Sequence, residues 1–200
     1  MRYRAGSMSV DAFAAMARDV ASRPSSDDPA PATVLPTEPI YPLAEPVPAE
    51  YVGAECSPAL VGLPPWVTML LYGPAGTGKT RQLWALYQRQ TIGAYCRVMI
   101  AKASAISQHR WDWAWLQSLI DTPCVLCVDD LGYAKPSPWT VEAVYALADS
   151  RPTAGRRTIW TTNLTEQAIA EQYSPAICSR LHAGVTVPTG GEDWRRRAAT

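Results

Sequence analysis

From position 66 onward the chain alternates short apolar runs with longer amphipathic segments, a pattern that predicts a parallel β-sheet with crossover helices. The predicted strands are 67–72, 94–100, 124–129, 157–162 and, with a weaker pattern, 184–187. The predicted helices lie near 79–90, 105–120, 139–150 and 165–172. Because the strands are almost continuously apolar, we expect helices on both faces of the sheet. The fold class is therefore α/β.

The first third of the chain has a different pattern. Eleven of the eighteen prolines lie between positions 24 and 65, and a segment so rich in proline cannot keep helical hydrogen bonds. We therefore predict a short helical segment at 1–22, a largely disordered proline-rich linker at 23–62 and a core domain at 63–200. In the first segment Val10, Phe13 and Val20 share one helical face. Such a helix either docks on a partner or frays in water.

Composition limits the function classes. The 18 basic and 18 acidic residues cancel, so any contact with nucleic acid must be local rather than a charge coating. Asp11 and Arg18 interrupt the segment where a signal peptide would need an apolar run, and no stretch approaches a membrane span. We expect a soluble protein of the bacterial, or phage-infected host, cytoplasm.

The loop after the first strand reads GPAGTGKT and satisfies the phosphate-loop pattern G-x-x-x-x-G-K-[ST] in the strand-loop-helix context that this motif needs. Its backbone N–H groups and the following helix N-terminus can hold a polyphosphate. The predicted ATP-binding residues are Gly73, Pro74, Ala75, Gly76, Thr77, Gly78, Lys79 and Thr80. Lys79 is expected to reach the β- and γ-phosphates and Thr80 to ligate Mg²⁺. No guanine-reading motif is present, which favours ATP.

The stretch CVLCVDDLG, residues 124–132, offers a second motif. A Mg²⁺-nucleotide site needs a carboxylate at the end of a neighbouring strand, and Asp129 supplies it. Asp130 follows and is placed to activate the attacking water. Residues three apart on a strand point to opposite faces, so Cys124 and Cys127 cannot converge on one metal ion. We therefore interpret the cysteines as buried thiols rather than a zinc or redox site.

A third polar position follows the strand 157–162, where the sequence reads TTNL. A polar residue here would lie between the two motifs and could hold the attacking water or sense the γ-phosphate. Asn163 is the candidate, and the alternative is that it caps the helix that starts near Thr165.

With these motifs and the later ICSRL in this order, the chain from about residue 60 resembles the DnaC-type helicase loaders and the related IstB transposition ATPases, within the AAA+ class. The resemblance implies a sheet order of 5-1-4-3-2. It makes Asp130 the catalytic carboxylate, Asn163 sensor 1 and Arg180 an arginine finger acting on the neighbouring subunit, so hydrolysis would require self-association. Arg151 also matches a family arginine. For Arg180 the alternative is a surface arginine that pairs with a carboxylate.

The segment between the second and third strands carries the predicted contacts with single-stranded DNA, because in helicase loaders this region faces the pore of the assembly. Lys102 and Arg110 are the candidates, and neighbouring tryptophans offer base stacking. On a helix, however, Trp111 and Trp115 share one face, as a core stripe does, and we expect most of the tryptophans to be core. His182 is expected to pack at a subunit edge rather than to bind metal.

Two features depart from the family pattern. A full N-terminal helicase-binding domain is missing, which suggests a phage or mobile-element protein and weakens the case for helicase delivery. We also expect no full helical lid after the fifth strand. The sequence GGEDWRRR there does resemble the family ending, so Arg195 is either sensor 2 or part of a basic tail. The first interpretation is an ATPase that loads the replicative helicase. The alternatives are an IstB-like transposition ATPase, a self-contained small-molecule kinase, and a nucleotide-gated binding module with negligible turnover.

Overall fold

The computed structural model describes residues 46–61, 67–89, 98–191 and 193–194, and all of them except Pro46 belong to one compact unit. The strands are Met69–Tyr72 (β1), Val98–Lys102 (β2), Val125–Leu131 (β3), Thr158–Thr162 (β4) and Val185–Pro188 (β5). The α-helices are Pro58–Val61 (α1), Lys79–Arg89 (α2), Ala103–Gln108 (α3), Trp113–Asp121 (α4), Pro138–Thr153 (α5), Glu166–Gln172 (α6) and Pro175–His182 (α7), and a 3₁₀ turn covers Ala49–Tyr51.

The five strands form one parallel sheet in the order β2-β3-β4-β1-β5, which confirms the predicted order. β4 lies between β3 and β1, and all five of its residues are buried. Because parallel strands end at the same edge of a sheet, the residues that follow β1, β3 and β4 are neighbours. This edge carries the phosphate loop, the two aspartates and Asn163.

Arg151 connects helix α5 by hydrogen bonds to the amino-terminal ends of strands β3 and β4. Its side chain is fully buried, and its Nε donates to the Thr158 hydroxyl at 2.9 Å. Its two terminal nitrogens donate to the carbonyl oxygens of Leu119, Ile120, Thr122, Cys124 and Arg157. One guanidinium thus joins the end of α4, the start of β3 and the start of β4. In this chain Arg151 has a structural role.

The helix predicted at 105–120 is wrong, because the structure has two helices there. Asp112 ends the intervening turn and caps α4, its side chain accepting the Trp115 N–H at 2.9 Å. Trp111 has a positive φ of 64°, which is incompatible with a continuous α-helix. Helix α7 was not predicted, although Ser174 caps it and Pro175 occupies its first turn, both of which are sequence signals for a helix start.

The last part of the predicted linker packs on helix α2. The Gly53 and Ser57 N–H groups donate to the side-chain oxygens of Gln88 and Gln82, at 3.0 and 2.7 Å, and Leu60 is buried. The rest of the linker, the N-terminal segment 1–22 and the first residues of the predicted second strand lie outside the described residues. Among the described helices, none combines the length and the apolar character that a bilayer span requires.

Candidate nucleotide-binding site

The loop 73–80 joins β1 directly to α2 and has a backbone that depends on glycine. Gly76 and Gly78 have φ angles of 80° and 91°, which favour glycine strongly. A Cβ on Gly76 would also overlap the Asp193 carboxylate, and one on Gly78 would lie 3.2 Å from the Trp194 ring. Both glycines are therefore required by the backbone conformation and by the packing against the chain end.

Lys79 lies inside this loop, with 5% of its surface exposed. Its Nζ donates to the carbonyl oxygens of Gly73 and Pro74, both at 2.7 Å. The ammonium group is thus held at the loop, where a polyphosphate would compete with these neutral acceptors through its negative charge. The predicted role of Lys79 in binding the β- and γ-phosphates stays a prediction.

Asp129 is the centre of a hydrogen-bonded cluster. The Thr80 hydroxyl lies 3.0 and 3.2 Å from its two carboxylate oxygens, and the Thr161 hydroxyl donates to Oδ1 at 2.6 Å. The Thr161 oxygen in turn accepts the Asp130 N–H at 2.9 Å. These contacts join the phosphate loop, the end of β3 and the end of β4.

Two opposing effects act on the pKa of the Asp129 carboxyl group. Burial raises the pKa of its carboxyl group, since the side chain is 1% exposed, and the neighbouring Asp130 acts in the same direction. Hydrogen bonds from Thr161 and Thr80 lower that pKa and oppose the shift. A hydroxyl and a carboxylate side by side are oxygen ligands of the kind Mg²⁺ prefers, with water completing its shell. The residues present therefore fit a Mg²⁺-nucleotide.

Asp130 occupies an irregular point in β3. Its φ is 59°, and the pairing of β3 with β4 shifts register between Val128 and Leu131. In a regular strand Asp129 and Asp130 would point to opposite faces of the sheet. An irregularity of this kind changes the direction of the strand side chains, and such bulges are common beside functional sites. Asp130 is half-buried at the strand end, the place predicted for a residue that activates water.

The structure brings Thr161, rather than Asn163, into contact with the second motif. Asn163 follows β4 directly and is exposed at the same edge of the sheet. The cap of α6 is Thr165, whose hydroxyl accepts the Ala168 N–H, so the alternative interpretation of Asn163 as a cap is wrong. The sequence shows that this strand end is polar but does not single out Thr161, because the contact of Thr161 with Asp129 depends on the strand order.

Arg180 lies on helix α7 and contacts helix α5. Its Nε donates to Asp149 Oδ1 at 2.7 Å, and another guanidinium nitrogen donates to the Tyr145 hydroxyl at 2.7 Å. Both partners are exposed, and Arg180 itself is partly exposed. Within a single chain Arg180 is thus a surface arginine paired with a carboxylate. Its predicted action on a neighbouring subunit stays a prediction.

The segment with the predicted DNA contacts is a basic and aromatic surface. Lys102 ends β2 in register with Asp129 and is exposed, and Arg110 lies over the Trp111 ring at 5.9 Å. Trp111 and Trp113 are about half exposed, at 51% and 50%, although both rings pack on the buried Trp139. The expectation that tryptophans are core is wrong for these two. The turn at 109–112 explains this, because it removes Trp111 from any helical stripe.

The end of the chain contributes residues that the sequence analysis missed. The Trp194 N–H donates to the Gly76 carbonyl oxygen at 3.0 Å, and the Arg81 guanidinium lies 4.9 Å from the Trp194 ring. Asp193 packs against Gly76. No local pattern in the sequence indicates this return to the phosphate loop. Arg195, the sensor 2 candidate, lies outside the described residues.

No protein-family model matches the sequence, and the comparison with curated proteins gives no match either. Solved structures do match. The chain is similar to AMPPCP-bound DnaA from Aquifex aeolicus, with 20% identity and a TM-score of 0.53 over 64% of this chain and 42% of that one. For the DnaC helicase loader the identity is 19% and the TM-score 0.53, over 63% and 80% of the two chains. For domain III of the Thermotoga maritima replication initiation protein DnaA they are 14% and 0.63, over 78% and 73%.

These similarities concern the fold. The chain spans about two fifths of the length of two nucleotide-bound DnaA structures and of a DNA replication initiation factor that it matches. Together with the sheet order, they confirm the predicted three-layer α/β fold, which the chain shares with the DnaC helicase loader.

Proposed function

We propose that this chain binds and hydrolyses Mg-ATP and uses the cycle to switch a DNA-associated replication assembly, as a helicase loader. The cluster of Thr80, Asp129 and Thr161 next to Lys79 carries the proposal. It joins three chain segments that are far apart in sequence at the one edge where an α/β fold of this kind binds ligands. The DnaC and DnaI structures among its fold neighbours support the helicase-loader form.

In the proposed site the loop 73–80 holds the β- and γ-phosphates through its backbone N–H groups and Lys79. When bound, Mg²⁺ would neutralise phosphate charge and orient the phosphates. Thr80 and Asp129 would hold it, and Thr161 fixes the orientation of the Asp129 carboxylate by its short hydrogen bond. To bind the phosphates, Lys79 exchanges its two carbonyl partners for phosphate oxygens.

Hydrolysis needs a group that removes a proton from the attacking water, and Asp130 is our candidate. Its position depends on the left-handed backbone at φ 59° and on the N–H donated to Thr161. Asn163, at the end of β4, is proposed to hold the same water or sense the γ-phosphate. In this assignment Thr161 is a positioning residue, since it acts on the reacting groups through Asp129 and Asp130.

Assembly completes the proposed site through Arg180 of a neighbouring copy. An arginine finger neutralises charge on the transferring phosphoryl group and accelerates hydrolysis by roughly 10³ to 10⁵-fold in well-studied cases. Arg180 is partly exposed, and its bonds to Asp149 and Tyr145 hold it at the surface where a second copy can approach. Turnover by an isolated chain is therefore expected to be slow.

The DNA contact is proposed to be the surface formed by Lys102, Arg110, Trp111 and Trp113. Basic groups would contact the phosphates, and the half-exposed indole rings would stack with bases. Trp111 keeps an unfavourable positive φ, a backbone strain of the kind that clusters at functional sites. A Lys102→Ala, Arg110→Ala double variant with wild-type affinity for single-stranded DNA would contradict this part of the proposal.

The experiment that tests the proposal measures ATP hydrolysis per subunit against protein concentration, with and without single-stranded DNA, and uses Lys79→Ala as the blank. A rate that rises with concentration and with DNA supports an assembling, DNA-linked ATPase. Mixing Lys79→Ala, which retains the finger, with Arg180→Ala, which retains the site, should then restore activity that neither variant has alone.

A rate per subunit that changes neither with protein concentration nor with DNA, together with no restored activity in the mixture of variants, would contradict assembly. Transfer of the phosphate to a metabolite would instead identify a self-contained kinase. Tight ATP binding without turnover, even with DNA present, would identify a nucleotide-gated binding module.

A further inference from the structure

Helices α6 and α7 bring three metal-ligating side chains together outside the nucleotide site. The Cys178 sulfur, a ring nitrogen of His182 and a carboxylate oxygen of Glu166 all lie within 4.8 Å of one another. Cys178 and His182 are four residues apart on α7, so they share one face of that helix. Glu166 is the first residue of α6. The cluster thus spans two helices.

The distance between the two α7 ligands is that of a metal site. Cys178 Sγ and His182 Nδ1 are 3.6 Å apart. In a tetrahedral zinc site the Zn–N and Zn–S bonds are about 2.0–2.1 Å and about 2.3 Å, which separates the two ligand atoms by about 3.6 Å. The spacing of these two atoms therefore allows one metal ion to bind both, once the His182 ring turns away from the Cys178 carbonyl oxygen that Nδ1 contacts.

Without metal, both ligand atoms are used in hydrogen bonds that a metal ion can replace. Because a carbonyl oxygen only accepts, His182 Nδ1 carries a proton in its 2.8 Å contact with the Cys178 carbonyl. The Cys178 thiol donates to the Glu166 carbonyl oxygen at 3.4 Å. Metal binding would release the thiol proton to solvent and leave the neutral imidazole protonated at Nε2 instead of Nδ1.

The cluster is open to solvent on one side. It lines a surface depression of about 830 Å³ together with Gln167, Ala170 and Pro175. Cys178 is buried, His182 is partly buried and Glu166 is exposed, so the ligands run from the protein interior to the mouth of the depression. Three protein ligands and an accessible fourth position form the arrangement in which zinc keeps one water or an added ligand.

Contrary to the expectation from the sequence for His182, we propose that Glu166, Cys178 and His182 form a site for a divalent transition metal of the zinc class, which joins α6 to α7. Thiolate and imidazole favour zinc, cobalt and similar ions over Mg²⁺ and Ca²⁺, which take oxygen ligands. Arg180 lies two residues from each α7 ligand and therefore projects from a different face of the helix. The metal site neither uses nor blocks Arg180, so it is independent of the proposed ATPase.

The proposal is tested by titrating the full-length, reduced protein with Co²⁺ and recording its absorption spectrum. A thiolate-to-Co²⁺ charge-transfer band in the near ultraviolet, with intense visible bands of tetrahedral Co²⁺, is expected at one equivalent. Zn²⁺ should abolish the bands by displacement. Cys178→Ser is expected to lose the charge-transfer band, and Cys124→Ser, which removes another thiol of the same chain, should retain it.

Two further variants test the other ligands. His182→Ala and Glu166→Gln are each expected to weaken Co²⁺ binding by at least about tenfold, since even partners outside the ligand shell contribute that much. Circular dichroism of each variant checks that the fold is retained, and Zn²⁺ should raise the Tm of the wild type but not of His182→Ala. A band that is absent in the wild type, or that persists in Cys178→Ser, would overturn the proposal.

Discussion

Thr161→Val removes one hydroxyl group from the point where β3, β4 and the phosphate loop meet. Valine has nearly the same shape, so the packing of β4 should be kept. The variant loses the 2.6 Å hydrogen bond to Asp129 Oδ1 and the acceptor of the Asp130 N–H. Both lost contacts belong to the proposed catalytic carboxylates.

The structure indicates the size of the effect. Asp129 is 1% exposed, so water cannot easily replace the lost donor. A hydrogen bond to a charged group contributes about 1.5–3 kcal/mol, and the half-buried Asp130 N–H adds up to about 1 kcal/mol. We therefore expect the free energy of unfolding to fall by about 2–4 kcal/mol. Affinity for Mg-ATP and the rate of turnover should fall by roughly 10–100-fold, as when a partner that orients a metal ligand is removed.

The assay combines urea unfolding with the binding of a fluorescent ATP analogue, measured with Mg²⁺ and with EDTA. The matched control is Thr162→Val. Thr162 is the next residue of β4 and fully buried, and its hydroxyl donates to the Leu131 carbonyl at 2.7 Å and accepts the Leu164 N–H at 3.0 Å. It should lose stability without losing the Mg²⁺ dependence of binding.

Equal losses of Mg²⁺-dependent affinity in the two variants would show that the effect is only structural. Wild-type affinity and turnover in Thr161→Val would refute the role given to this hydroxyl. Either result would mean that the observed hydrogen bond has no specific role in the proposed chemistry.

Three other predictions concern single positions. Gly76→Ala should abolish nucleotide binding because its Cβ meets Asp193. Gly155 is also at positive φ but has open space around it, so Gly155→Ala should only lose about 1 kcal/mol of stability. Equal effects of the two variants on nucleotide binding would contradict the packing argument. Arg151→Met should lower the free energy of unfolding by about 3–5 kcal/mol in urea, because it leaves buried carbonyl groups without their donor, and a loss below about 1 kcal/mol would contradict this. Burial raises the pKa of the Cys127 thiol far above its usual range. In the native protein at pH 8 this thiol should therefore resist a thiol reagent that modifies it after unfolding. Rapid labelling of the native protein would disprove the interpretation of Cys127 as a buried thiol.

Much of the fold could be predicted because its signals are local. Strands buried on both faces tend to be apolar runs wherever they lie in a sheet, so β1, β3 and β4 were found within a few residues of their ends. The more exposed β5 was found from its weaker pattern, and the predicted strand 94–100 overlaps the described β2. The phosphate loop is a continuous segment, so its residues are neighbours by covalent connection. Asp129 could be assigned for a similar reason, since it directly follows an apolar run.

Helix boundaries were less predictable, because a capping side chain competes with the apolar pattern. Asp112 and Ser174 each start a helix by accepting a backbone N–H three residues later. In the sequence the apolar pattern of 105–120 continues across Asp112, so one helix was predicted where there are two. The half exposure of Trp111 and Trp113 follows from that break.

The tertiary structure alone decided which polar groups meet. The contacts of Thr161 with Asp129, of Arg180 with Asp149 and of Trp194 with Gly76 join residues that are between 31 and 118 positions apart. The first contact depends on strand order and register, and a shift of one residue would turn each strand side chain to the other face of the sheet. The other two depend on the packing of helix α7 on α5 and of Trp194 on the loop 73–80. The sequence by itself therefore predicted a phosphate-binding loop and a nearby carboxylate. Only the folded chain determined how that carboxylate is held, because long-range pairing, unlike a local motif, leaves no periodic pattern in the chain.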